Sequence, residues 1–238
     1  MSLDARPAGA RQLPLDLPHR AALERADFLV GAANEAAIRI IDRWPQWPER
    51  GVLLAGPVGA GKSHLVEIWR AASGARVVTA GEVRGALAGL PEGGAIAVED
   101  LHAGRLDEAA LFHLLNLAAE RRAAVLITTR VWPAALPVRL PDLASRLRAM
   151  QPVEIAEPDD ELLRRVLTKL FADRQLDVDP GVVDFMALRI ERSLAAAGAL
   201  VARLDRDALA AGRPVTRRLA ALTIADLFDR QPDFWPEG

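Results

Sequence analysis

The chain has 238 residues, of which 51% are hydrophobic and 26% charged, with a formal net charge of −2 and no cysteine. This length and apolar content are enough for a sizeable core in one or two domains, while the slightly acidic balance argues against strong autonomous DNA binding. The absence of cysteine excludes disulfides, thiolate zinc sites and thiol nucleophiles. No apolar run approaches the ~20 residues of a membrane span and no signal-peptide pattern opens the chain, so we expect a cytoplasmic protein without membrane contact.

The first 20 residues are rich in Pro, Gly and Arg, which is typical of a flexible tail. Within them, the segment QLPLDL at 12–17 places hydrophobic residues at alternate positions beside prolines. That pattern favours an extended peptide over a helix. The alternative is a proline-rich linker that contains leucines by chance.

Strands and helices alternate from residue 34 to about 156. We predict helices at 34–43, after 63, at 107–121 and at 141–148, and strands at 51–55, 77–78, 95–98, 124–129 and 153–155. This alternation predicts an α/β fold with a parallel sheet covered by helices on both faces.

After Pro158 the strand pattern disappears, and the remaining segments, at 159–174, 180–191, 193–210 and 216–229, are helical. We therefore predict three parts: a tail at 1–20, an α/β base at 21–157 and a small all-α lid at 158–238.

A phosphate-binding loop is the clearest motif. The sequence Gly56-Pro57-Val58-Gly59-Ala60-Gly61-Lys62-Ser63 matches the P-loop pattern and lies between a predicted strand and a predicted helix. Glycines let main-chain N–H groups point at phosphate oxygens, and the helix N-terminus adds positive potential. Lys62 is predicted to reach the β- and γ-phosphates of a bound ATP or ADP, and the Ser63 hydroxyl to bind Mg²⁺.

An acidic pair, Glu99 and Asp100, closes the third predicted strand. The carboxyl end of a parallel strand faces the ligand in open α/β sheets. We predict that Glu99 holds the metal and that Asp100 polarises the attacking water. Such sites usually carry an Asp first, so the longer Glu99 is expected to slow hydrolysis. The alternative is that Asp100 only caps the next segment.

Four segments in this order resemble motifs of the DnaA family of AAA+ proteins: DFLVGAAN at 27–34, GPVGAGKSHL at 56–65, DLASRL at 142–147 and ERSL at 191–194. The resemblance implies an AAA+ fold, with Phe28 and Val30 at the adenine and His64 in the nucleotide loop. It also implies that Arg146 reaches the γ-phosphate held by a neighbour and that Arg192 contacts the chain's own nucleotide. Without the resemblance, Arg146 is a surface arginine, and Arg192 has the alternative of a salt bridge to an acidic residue of the lid.

The sequence stops at Gly238, just after the lid, and leaves little room for the DNA-gripping insertion of initiators. This is similar to the Hda branch of the family, regulators that inactivate the DnaA initiator. The 12–17 peptide resembles peptides that bind the sliding clamp. The resemblance implies that Gln12 forms a hydrogen bond at the rim of the clamp's pocket. It also implies that the apolar side chains of Leu13, Leu15 and Leu17 anchor the peptide there. The resemblance implies that the sliding clamp and DnaA are partners and that DNA is contacted indirectly, through the clamp. A homodimer is a further possibility.

The chain departs from the family at two positions. Glu99 replaces a common Asp, and Arg130 follows Thr128-Thr129 where initiators carry an acidic residue. Both changes put intrinsic ATP turnover in doubt and favour a protein that works with ADP bound. Rival interpretations are a helicase-loader-like or remodelling ATPase, and a clamp-anchored adaptor that stimulates no chemistry.

Overall fold

The structure is a computed structural model that describes residues 23–47, 49–102 and 106–229. The five strands are β1 (Gly51–Ala55), β2 (Arg76–Thr79), β3 (Ala95–Glu99), β4 (Ala124–Thr129) and β5 (Gln151–Glu154). They form one parallel sheet in the order β2-β3-β4-β1-β5. The predicted parallel sheet is confirmed.

The two central strands are almost entirely apolar because helices cover both faces of the sheet. Every residue of β4 is buried, as are all but the first residue of β1. In register, Val52 pairs with Leu126 and Leu53 with Ile127. Alternate residues therefore enter two different cores, which lie on opposite faces of the sheet.

The helices that flank the sheet are α1 (Glu35–Asp42), α2 (Lys62–Ser73), α3 (Val83–Ala86), α4 (Glu108–Glu120) and α5 (Pro141–Ala149). Residues of α1 and α2 share one core, which holds the fully buried Trp69. Residues of α3, α4 and α5 share the other. Trp47 stacks on Trp69 with ring centroids 5.1 Å apart, so these tryptophans pack in the core.

Four further helices follow the sheet: α6 (Asp160–Ala172), α7 (Pro180–Ala187), α8 (Leu194–Ala211) and α9 (Arg217–Asp229). They share a third core of their own. Local signals set their ends. Asp159 and Ser193 accept hydrogen bonds from main-chain amides at the starts of α6 and α8, and Gly212 ends α8 in a left-handed conformation. None of the helices in the described ranges is long and apolar enough to cross a membrane.

The sequence predicts no helix between β2 and β3, but the structure has a short helical segment there. That stretch contains two 3₁₀ turns, Ala80–Glu82 and Leu87–Gly89, on either side of the short α3. The segment is too short and too rich in glycine to show helical periodicity. Its helical form depends on packing Val83 and Ala86 against the core beneath the sheet.

Candidate functional site

The loop between β1 and α2 has a backbone that requires glycine at three positions. Gly59 (φ +74°) and Gly61 (φ +102°) are left-handed. At Gly56, a Cβ atom would lie 2.3 Å from the carbonyl oxygen of Ile155. The loop thus folds tightly over the carboxyl end of the central strand. Helix α2 begins directly after this loop, and the main-chain amides of its first turn have no hydrogen-bond partner within the helix.

Lys62 lies over this loop. Its ammonium donates to the carbonyl oxygens of Gly56 (2.6 Å) and Pro57 (2.7 Å). Burial lowers the pKa of Lys62, opposed by the nearby carboxylates of Asp100 and Glu99. The ammonium is held by carbonyl groups that phosphate oxygens can replace as stronger acceptors. Ser63, in the first turn of α2, is exposed.

The acidic pair lies at the same carboxyl edge of the sheet. Glu99 ends β3 and is half-buried, and the Asp100 amide donates to Thr128 Oγ1 at 2.8 Å. The Asp100 carboxylate accepts from Arg130 Nη2 (2.7 Å) and Nε (3.2 Å). This hydrogen bonding raises the pKa of Arg130. The described contacts of the Asp100 side chain are thus with Arg130, not with a helix end.

A Mg²⁺ ion would have few protein ligands here. Across the described ranges, no group of three or more His, Cys, Asp or Glu side chains could hold a metal ion. Ser63 and Glu99 supply the oxygen donors that Mg²⁺ prefers, and such sites take their remaining ligands from water and phosphate. Ser63 and Glu99 therefore fit a Mg²⁺ ion that is bound together with a nucleotide.

A cavity of about 210 Å³ adjoins the loop on its lid side. Phe28 and His64 line it, and their rings meet edge to face at 5.1 Å. Burial lowers the pKa of His64, which favours the neutral ring, and the two rings of Phe28 and His64 suit contact with a planar base. Val30 is not in this lining. Its side chain packs against the core, and its carbonyl oxygen accepts from Arg165 of α6 at 2.9 Å.

The first turn of α8 touches the loop directly. Leu194 donates its amide to the carbonyl oxygen of Gly59 at 2.8 Å, and a Cβ atom at Gly59 would lie 2.0 Å from Ser193 Oγ. The sequence did not predict that Ser193 and Leu194 would contact the loop. The pattern of a serine before an alanine-rich run locates a helix start, but it says nothing of what that start contacts.

Arg192 lies just before this turn but points elsewhere. It is exposed, and its guanidinium pairs with Asp160 at 3.1 Å. This is the salt bridge to an acidic lid residue that the sequence left open as an alternative. Contact between Arg192 and a nucleotide stays a prediction.

Arg146 lies at the other end of the sheet from the loop. It is exposed on α5 and borders a cavity of about 200 Å³ with Gly51 and Val125, at the amino ends of β1 and β4. Its guanidinium lies over the Phe112 ring at 5.5 Å and pairs with no carboxylate in the described part of the chain. Arg146 therefore cannot contact a nucleotide in the chain's own phosphate-binding loop. Its exposed guanidinium is accessible to another molecule. The clamp-peptide residues Gln12, Leu13, Leu15 and Leu17 lie outside the described residues.

Comparison with solved structures identifies the class of fold. The chain is similar to domain III of the replication initiation protein DnaA from Thermotoga maritima, with a TM-score of 0.73 and 17% identity over 88% of this chain and 98% of that one. It is also similar to a mutant of the RuvB protein from Thermotoga maritima (TM-score 0.69, 17% identity, 85% of this chain and 72% of that one). The chain therefore has the AAA+ fold expected from the sequence.

A third similar structure is the replication initiator DnaA bound to AMPPCP and single-stranded DNA (TM-score 0.65, 16% identity). There the match covers 75% of this chain and 63% of that one, so the chain spans less than two thirds of that initiator. The sequence matches no family model and no curated protein.

Proposed function

We propose that this protein binds an adenine nucleotide, ADP or ATP, together with Mg²⁺. The observation that carries the proposal is the glycine-built loop at the carboxyl end of β1, with the Lys62 ammonium held over it by two carbonyl oxygens. The cavity lined by Phe28 and His64 supplies a place for the base. The AMPPCP bound by a structurally similar initiator supports the same ligand class.

The test is isothermal titration of the purified protein with ADP and with a non-hydrolysable ATP analogue. Lys62→Ala is expected to weaken binding at least tenfold, because it removes a charge-assisted contact worth roughly 1.5–3 kcal/mol. Arg70→Ala is the control, since Arg70 is a cation of the same helix whose partner is Glu67, one turn away. Unmeasurable affinity in the unaltered protein would contradict the proposal.

We further propose that the protein regulates chromosome replication by stimulating ATP hydrolysis in the DnaA initiator, in the manner of an Hda-type protein. Support comes from Arg146, an exposed guanidinium without a carboxylate partner in the described residues, displayed away from the chain's own loop. A guanidinium offered to a partner's ATP stabilises charge that develops during phosphoryl transfer, an effect of roughly 10³–10⁵ in rate.

Hydrolysis of DnaA-bound ATP should be measured with this protein, nucleotide and DNA-loaded sliding clamp, each omitted in turn. Arg146→Ala is expected to abolish the stimulation. Arg148→Ala, which alters an exposed arginine two residues along α5, is expected to preserve it. Equal activity of the two variants would favour the adaptor interpretation, and rapid ATP turnover without DnaA or clamp would favour a remodelling ATPase.

Clamp docking rests on the sequence of the 12–17 peptide. If it tethers the protein, changing Gln12 and Leu13 to Ala should lower clamp affinity at least tenfold and reduce the stimulation of DnaA only when the clamp is present. Unchanged clamp affinity would remove the tether, while leaving nucleotide binding and Arg146 to their own tests.

A further inference from the structure

Arg130 and Asp100 are 30 residues apart in the chain but meet beside the nucleotide loop. Arg130 directly follows β4 and Asp100 directly follows β3, and these neighbouring parallel strands end at the same edge of the sheet. Two nitrogens of the guanidinium donate to two carboxylate oxygens, at 2.7 and 3.2 Å. The pair is near enough to Lys62 for both charges to act on its ammonium.

The position of Asp100 is held from two sides. Its backbone is left-handed (φ +46°), a conformation that non-glycine residues adopt at an energetic cost and retain only where neighbours impose it. Here the main-chain amide is bound by Thr128 Oγ1 and the side chain by Arg130. Thr128 and Arg130 both lie at the end of β4. The position of that strand therefore determines the orientation of the Asp100 carboxylate.

We propose that Arg130 is a positioning residue that withholds Asp100 from water activation, so that the site retains a nucleotide without turning it over. This inference rests on the proposed nucleotide binding. A free Asp100 carboxylate can accept a proton from water as the water oxygen bonds to the terminal phosphorus and the bond to the bridging oxygen breaks, leaving ADP and inorganic phosphate. In this chain both oxygens of that carboxylate already accept hydrogen bonds from the Arg130 guanidinium, which holds the side chain toward the arginine.

The inference is tested with Arg130→Ala and with Arg130→Gln, which keeps a long polar side chain without the charge. Either change is expected to raise single-turnover ATP hydrolysis at least tenfold. Adding Asp100→Asn to Arg130→Ala is expected to return the rate to the original value. Arg84→Ala is the matched control, because Arg84 makes a comparable exposed, two-nitrogen contact with Asp107.

A second readout does not depend on turnover. Freeing the carboxylate beside the phosphates should weaken nucleotide binding without Mg²⁺ and make the affinity several-fold more dependent on Mg²⁺, as titration calorimetry would record. Intact binding with neither an altered rate nor an altered Mg²⁺ dependence would overturn the inference and leave the proposed function standing. A rate increase that survives Asp100→Asn would also overturn it, and no nucleotide binding at all would overturn both.

Discussion

Gly59 and Gly74 have nearly the same backbone conformation in very different surroundings. Their φ angles are +74° and +68°. A Cβ atom at Gly74 would meet nothing within 4 Å, whereas at Gly59 it would lie 2.0 Å from Ser193 Oγ and 3.1 Å from the Ala195 methyl group. Gly74 is thus glycine because of its dihedral angle alone. Gly59 is glycine also because the lid lies against it.

This difference predicts the outcome of two alanine substitutions. Gly74→Ala should cost about 1–2 kcal/mol of unfolding free energy, the strain of a left-handed non-glycine residue. Gly59→Ala should cost about 1–3 kcal/mol more from overpacking and should weaken nucleotide binding as well. Urea unfolding and calorimetry check both. Equal destabilisation would mean that the α8 turn moves aside freely and that its contact with the loop is loose.

At the scale of elements, polar contacts connect helix α6 of the lid to the 27–34 segment, which contains Phe28. Arg165 donates to the carbonyl oxygen of Val30 at 2.9 Å, and Lys169 pairs with Asp27 at 2.8 Å. The Lys169 ammonium holds the pKa of Asp27 below its usual value. The Lys169–Asp27 pair lines the cavity assigned to the base, so it helps to set how closely α6 approaches that cavity.

Removing both contacts should loosen that segment more than it destabilises the protein. For Arg165→Ala combined with Lys169→Ala we expect a loss of about 1 kcal/mol, because partly exposed polar contacts contribute little, with several-fold faster amide exchange at residues 27–34. Arg164→Ala is the control, since its partner Asp184 lies within the lid. If that control accelerates exchange at 27–34 equally, the effect arises inside the lid and not from the lost links.

At the scale of the whole molecule, the described residues form three hydrophobic cores, two against the sheet and one among α6–α9. The candidate site touches the sheet through the loop and the lid through the first turn of α8. A ligand bound there contacts both parts. The free energy of ligand binding therefore stabilises both the sheet and the lid against unfolding, although their hydrophobic cores are separate.

Saturating ADP is therefore expected to protect amides of the lid as well as those of the loop. At a hundredfold excess over Kd the stabilisation is about 2.7 kcal/mol. Hydrogen exchange should show slower opening at residues 56–63 and in α6 and α8, and Lys62→Ala should remove the effect. Protection confined to 56–63 would contradict a ligand that joins base and lid.

Some features depend on short stretches of sequence and could be predicted from them. The apolar runs of β1 and β4, the glycine loop after β1 and the serine before α8 act through local backbone preference and burial period. Parallel strands also made it predictable that Glu99, Asp100 and Arg130 would share the loop's edge of the sheet. The form of the 80–89 segment was not predictable, because its helical turns depend on packing rather than on propensity.

The sequence by itself determined the order of elements, the phosphate loop and the strand ends that surround it, because these follow from neighbours within a few residues. Only the tertiary structure decided which side chains meet: Asp100 with Arg130, Arg192 with Asp160, and Ser193 with Gly59. Each of these contacts joins elements 30 or more residues apart, and its geometry is set by how separate helices and strands pack, which local preference cannot specify.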